Sequence, residues 1–245
     1  MSLVEPFSLF VVSAGVFAGA AVSSLVGFAF SAVAGAVLLH VLPPTDAVPL
    51  MMACSTVTQV ISLVALRGSV PWKGNVLLIM GGVAGILPAL YLLQHVDARI
   101  FRVGFGLFLA AYAAYMLFRP AARFVQGGPG RLRDAAIGFG GGLIGGLTAM
   151  PGALPTIWCE MRGMPKNEQR GLVQPFIAAM QLLALAVMLA RGGLSRETMI
   201  GLVISLPALA CGVGLGVIMF RKINDVMFRR IVLTVLVIAG LALAL

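Results

Sequence analysis

Charged side chains are scarce in this sequence. Of its 245 residues, only 10% are Asp, Glu, Lys or Arg, whereas 60% are hydrophobic. A soluble globular surface needs about a quarter of the residues to be charged, so a water-soluble domain is excluded. The mean hydropathy of +1.07 and the long apolar runs indicate a protein embedded in a lipid bilayer.

Cysteines and catalytic motifs are also scarce. The three cysteines lie in apolar runs and form no CxxC pair, which argues against a disulfide framework or a metal site. The sequence has no HExxH, no paired GxGD-like aspartates and no P-loop. Neither intramembrane proteolysis nor ATP-driven transport is therefore supported, and we expect no enzyme and no cofactor.

The net charge of +9 does not indicate a nucleic-acid partner. An RNA-binding surface interleaves basic residues with aromatic ones, whereas the basic residues here cluster in short loops between apolar segments. Basic loops are typical of the cytoplasmic side of a membrane protein.

Six apolar segments are long enough to cross a bilayer, which takes about 20 residues. They are 47–66, 74–93, 99–118, 168–190, 197–220 and 226–244. Two regions remain, 7–42 and 134–161. As one helix, the second would reach only about 42 Å, short of the roughly 60 Å that two full crossings need.

The basic residues predict how often these two regions cross. If both cross an even number of times and 119–133 is cytoplasmic, 13 of the 17 Lys and Arg residues lie in the cytoplasm. If 134–161 crossed only once, the two sides would hold 8 and 9. The positive-inside rule therefore favours a helical pair in each region.

The two halves of the chain resemble each other. Gly15–Gly19 recurs as Gly142–Gly146, and Asp97–Arg102 recurs as Asn224–Arg229, both at an offset of 127. With the crossings above, the repeats are inverted. We predict an all-α polytopic membrane protein of about 8–10 helical segments. Its inverted repeats, 1–118 and 134–245, are joined by the cytoplasmic linker 119–133. Each is a short broken or re-entrant helical pair followed by three transmembrane helices.

Each opening region contains a candidate helix break, Ser23–Phe28 and Thr148–Pro155. A break at membrane depth survives only inside protein or beside a water-filled cavity, and a half-helix N-terminus suits an anion. The alternative is that Gly and Pro are simply common in membrane helices. The candidate substrate-binding residues at the breaks are Ser23, Ser24, Gly27, Thr148, Pro151 and Gly152.

Polar helix faces supply further candidates. Ser55 and Gln59 share a face of one helix, and Gln174 and Gln181 share a face of the corresponding helix in the second half. Such residues donate hydrogen bonds to an anion, or they join helices to one another. Arg170 could attract an anion from the cytoplasm, or it serves as a positive-inside anchor.

The sequence resembles the sulfite exporter TauE/SafE family over nearly its whole length. The likeness rests on Ser24–Phe30 after Gly15 and Gly19, on Pro151–Pro155 after Gly142 and Gly146, and on Arg170. The chain departs from the family motifs at Ala29, Ala153 and Leu154. The resemblance implies a transporter of sulfur-containing anions such as sulfite and sulfoacetate.

We therefore expect a multi-pass exporter of small anions in the bacterial inner membrane. Its substrate would lie near the midplane with the two broken pairs, and transport would proceed by alternating access. The lipid bilayer is the surrounding partner, and coupling to a proton or another cation stays open. The alternatives are an importer or channel for another small anion, and a membrane assembly factor that transports nothing.

Single cysteines introduced at 161–170 test the crossing number. An impermeant thiol reagent should label them only from the cytoplasmic side, because an even number of crossings returns this loop to the cytoplasm. Labelling from outside would contradict the inverted arrangement.

Overall fold

The chain is helical wherever the sequence holds a long apolar run. The computed structural model describes residues 6–26, 29–65, 72–118, 130–192, 194–220 and 225–245, and no strand occurs among them. The helices are α1 (Pro6–Val26), α2 (Phe30–Leu38), α3 (Pro44–Ala65), α4 (Trp72–His95), α5 (Ala98–Phe118), α6 (Arg131–Thr148), α7 (Ala153–Met161), α8 (Lys166–Ala190), α9 (Arg196–Phe220) and α10 (Asp225–Ala244). The all-α fold is confirmed.

The six predicted spans correspond to α3, α4, α5, α8, α9 and α10, with ends that agree within about three residues. Each opening region divides into a longer helix and a nine-residue helix. The first pair is unequal, because α1 is long and apolar enough to cross a membrane whereas nine residues reach only about 14 Å.

The helices form two compact units that do not follow the predicted repeat boundary. Unit 1 comprises Met1–Thr58, Val96–Arg119 and Leu194–Leu245, and unit 2 comprises Gln59–His95 and Pro120–Gly193. Each unit therefore takes helices from both predicted repeats.

In unit 1, α1 and α2 form an antiparallel hairpin. Gly19 lies against Phe30 and Ala34 near the start of α2. Gly15, one turn earlier in α1, lies against Leu38 at the end of α2. The contacts run in opposite senses along the two helices, so the chain turns back after α1.

In the same unit, α1 and α9 run parallel at backbone contact. A Cβ atom on Gly212 would lie 2.5 Å from the carbonyl oxygen of Phe17, and one on Gly216 would lie 2.5 Å from that of Ala21. The contacts advance together along both helices. Small residues allow this approach, which is how membrane helices gain packing energy.

A carboxylate joins the N-termini of α3 and α9. Asp46, in the first turn of α3, accepts hydrogen bonds from Ser195 Oγ at 2.6 Å and Thr198 Oγ1 at 3.3 Å. The N–H of Thr198 donates to Ser195 Oγ at 3.0 Å, so Ser195 also caps α9. The negative charge is favourable at both helix N-termini.

In unit 2, α4 and α6 repeat the parallel backbone contact. The carbonyl of Ala135 occupies the space that a Cβ on Gly81 would need, and the carbonyl of Phe139 does the same for Gly85. From the other side, Gly142 meets the backbone of Gly82. α7 then returns along α6, since Leu154 in its first turn lies against Gly140.

The two parallel pairs are equivalent and correct the predicted repeat alignment. Gly85 lies on the carbonyl of Phe139, and Gly212 lies on that of Phe17. The glycines are 127 residues apart, as predicted, but the phenylalanines are 122 apart. The ends of α1 and α6 also differ by 122. The offset of 127 assigned to Gly15–Gly19 is therefore wrong by five residues, and the two breaks correspond at 122.

Two glycines in α9 test the packing. Gly212→Ala should lower the free energy of unfolding by about 1–3 kcal/mol, because its Cβ would force the Phe17 carbonyl to move. Gly214→Ala is the matched control, since a Cβ there meets nothing within 4 Å. Thermal unfolding of the detergent-solubilised variants measures both. Equal effects would contradict the α1–α9 contact.

Candidate functional site

The break in unit 2 is a tight turn between α6 and α7. Ala149 has a left-handed backbone with φ 57° and ψ 22°, and its N–H donates to the carbonyl of Gly145 at 2.9 Å. The left-handed region is unfavourable for alanine, so the surroundings hold this conformation. Pro151 and Gly152 follow, and α7 begins at Ala153. The predicted break is confirmed at this position.

The turn is pressed against α8. A Cβ on Gly152 would lie 2.5 Å from Ile177 Cδ1 and 3.3 Å from Val173 Cγ1. Pro151 and Gly152 are both buried. No side-chain hydrogen bond caps α7 among the described residues. The start of this half-helix is therefore enclosed by protein, as a break at membrane depth requires.

Buried neutral polar groups lie on α8 beside this contact. Gln174 and Gln181 are only 6% and 1% exposed. Within the described part of the chain, Gln174 Oε1 has no hydrogen-bond partner. Rotation of the amide by 180° exchanges its oxygen for the N–H donors, so the same position can present either. The amide can therefore donate to an anion without a buried charge.

Thr156 on α7 is a site candidate that the sequence analysis missed. It is 1% exposed, and among the described residues its Oγ1 finds no partner. It lies one turn after Gly152, on the same helix face. That spacing was available in the sequence and would have identified it.

Two predicted hydroxyl groups are already used inside their own helices. Ser24 Oγ donates to the carbonyl of Ala20 at 2.9 Å, and Thr148 Oγ1 donates to that of Ile144 at 2.8 Å. In this conformation they offer lone pairs rather than protons. Ser23 is buried in the last turn of α1.

The remaining predicted residues lie on α3, in the first break and on α8. Ser55 and Gln59 are buried on successive turns of α3, at 3% and 2% exposure. Gly27 lies outside the described residues, as does the side chain of Arg170, whose backbone belongs to α8.

The described site residues are all uncharged. No group of His, Cys, Asp or Glu that could hold a metal ion occurs in the part of the chain that the structure describes. Amide and hydroxyl donors near a half-helix N-terminus can bind a small anion through hydrogen bonds and the helix dipole. They provide no nucleophile and no acid–base pair.

The fold and these groups define a multi-pass, all-α membrane protein. Five of the described helices, namely α1, α4, α5, α8 and α9, are long and apolar enough to cross a membrane. The sequence profile of the sulfite exporter TauE/SafE family matches residues 11–243. The chain therefore belongs to this family, whose members are transporters rather than enzymes. Comparison with curated proteins and with solved structures gives no match.

Proposed function

We propose that this protein exports small sulfur-containing anions, sulfite or organosulfonates such as sulfoacetate, across the bacterial inner membrane. The observation that carries the proposal is the buried neutral polar group beside the Ala149–Gly152 turn. Gln174 and Thr156 each hold a buried polar atom without a partner among the described residues. Leaving such atoms unpaired is costly, so their retention supports a ligand that pairs with them.

Neutral donors suit a transported anion. A buried Lys or Arg would hold an anion tightly, whereas amide and hydroxyl groups bind it by hydrogen bonds that are readily exchanged for water. Gln59 and Ser55 on α3 are of the same chemical type and equally buried. We assign them, together with Gln174, Gln181 and Thr156, to substrate binding.

Helix directions support an inverted-repeat transporter. α1 and α9 run parallel within unit 1, and the described helices between them in the chain are α2 to α8. Two crossings in the same direction must be separated by an odd number of passes. Those seven helices satisfy this only if α7 makes a return pass of its own. This parity agrees with the charge distribution, and alternating access by inverted repeats is a common transport mechanism.

The membrane potential supplies a driving force for export. A cell that is negative inside favours anion exit by about 2.3 kcal/mol per charge for each 100 mV. Export by this route needs no obligatory coupling to a cation. We propose alternating access without ATP.

Efflux from proteoliposomes tests the function. Vesicles loaded with labelled sulfite or sulfoacetate should release it faster when the interior is made negative than at zero potential. Protein-free vesicles give the background. Absence of flux for any small anion would refute transport, and faster influx than efflux at zero potential would refute export.

A pair of glutamine variants tests the site. Gln174→Ala should raise the half-saturating concentration of sulfite by about tenfold, the effect of losing one hydrogen bond to a charged group. Gln59→Ala should do the same. Gln94→Ala removes the same side chain from an exposed position in α4 and should leave flux unchanged. Unchanged flux and affinity in Gln174→Ala would remove that residue from the site.

A further inference from the structure

Pro175 interrupts the hydrogen bonding of α8. In a helix, the carbonyl of residue 171 ordinarily accepts a bond from the backbone N–H of residue 175, and proline has no N–H. α8 nevertheless continues through Pro175 to Ala190. The carbonyl of Gly171 is buried in a membrane-spanning helix, where a backbone group without a partner is costly.

The missing donor comes from another helix. Asn75 Nδ2, in the first turn of α4, donates to the carbonyl oxygen of Gly171 at 3.2 Å. Asn75 is completely buried. Its position in the sequence is 96 residues from Gly171, so this is a tertiary contact that fits the specific vacancy in the α8 hydrogen-bond ladder.

Close packing between α4 and α8 fixes this contact. Gly82 lies seven residues after Asn75, on the same face of α4. A Cβ there would lie 2.5 Å from Met180 Sδ and 2.7 Å from Phe176 Cε2. The helices therefore meet over two turns beyond the amide, and Asn75 has little freedom to leave Gly171.

We propose that Asn75 is a positioning residue for the anion site. By bonding the carbonyl that Pro175 leaves unpaired, it fixes the turn of α8 that carries Gln174, which lies between Gly171 and Pro175 in the sequence. The proposal rests on the proposed function, because it assigns Gln174 to substrate binding. Asn75 itself need not touch the anion.

A double-mutant cycle tests the proposal. Asn75→Ala should raise the half-saturating sulfite concentration by about tenfold, with a smaller effect on maximal flux, because Gln174 is displaced. In a Pro175→Ala background the same change should alter it by less than about twofold, since the new N–H at position 175 bonds Gly171. The unfolding temperature should show the same non-additivity.

Pro207→Ala provides the control background. This proline interrupts α9 and not α8, so Asn75→Ala should keep its full effect there. If Asn75→Ala does not fold, the Asn75→Ala/Pro175→Ala double variant should fold, and failure of that rescue contradicts the proposal. An equal effect of Asn75→Ala in the wild-type and Pro175→Ala backgrounds also contradicts it. If the wild type carries no anion, the proposed function and the positioning role both fail, while the unfolding cycle still decides whether Asn75 pairs with Gly171.

Discussion

Every backbone N–H and C=O group inside a bilayer needs a partner within the protein, and this requirement governs the structure. Long helices satisfy it along most of the chain. Where the helices break, the groups are paired individually or enclosed. The N–H of Ala149 bonds Gly145, and the carbonyl of Gly171 receives Asn75. The candidate site lies where this pairing is least complete, at Gln174 and Thr156.

Close packing at glycines holds the breaks in position. Apolar helices in lipid gain little from the hydrophobic effect, so they depend on contact between backbones. Gly212 on α9 and Gly85 on α4 each support the opening helix of the other predicted repeat. The exchange is reciprocal, since α9 packs on α1 and α4 packs on α6. Each compact unit therefore depends on both halves of the sequence.

Much of the fold could be predicted because it depends on local composition. Apolar runs of about 20 residues define α3 to α5 and α8 to α10 with small errors at the ends. The repeat offset in the opening helices was wrong because α6 holds several glycines in each of its turns, so several alignments match equally well. Only the contacts of Phe17 and Phe139 select the offset of 122.

The candidate site could be predicted in part. The glutamines of α3 and α8 are conspicuous as polar residues in apolar helices, and they are buried as an internal face requires. Neither the use of the Ser24 and Thr148 hydroxyls within their own helices nor the pairing of Asn75 with Gly171 could be predicted. The first two depend on side-chain rotamers. The last joins residues that are distant in the sequence, so no local pattern marks it.

The central claim is that an anion binds where the helices break. Hydrogen exchange of backbone amides, measured on the purified protein with and without sulfite, tests it most directly. The account predicts that sulfite slows exchange at Gly152–Leu154 and along the α8 turn that carries Gln174, whereas an uncharged solute of similar size does not. Protection confined to the surface loops, or equal protection by the uncharged solute, would contradict the account.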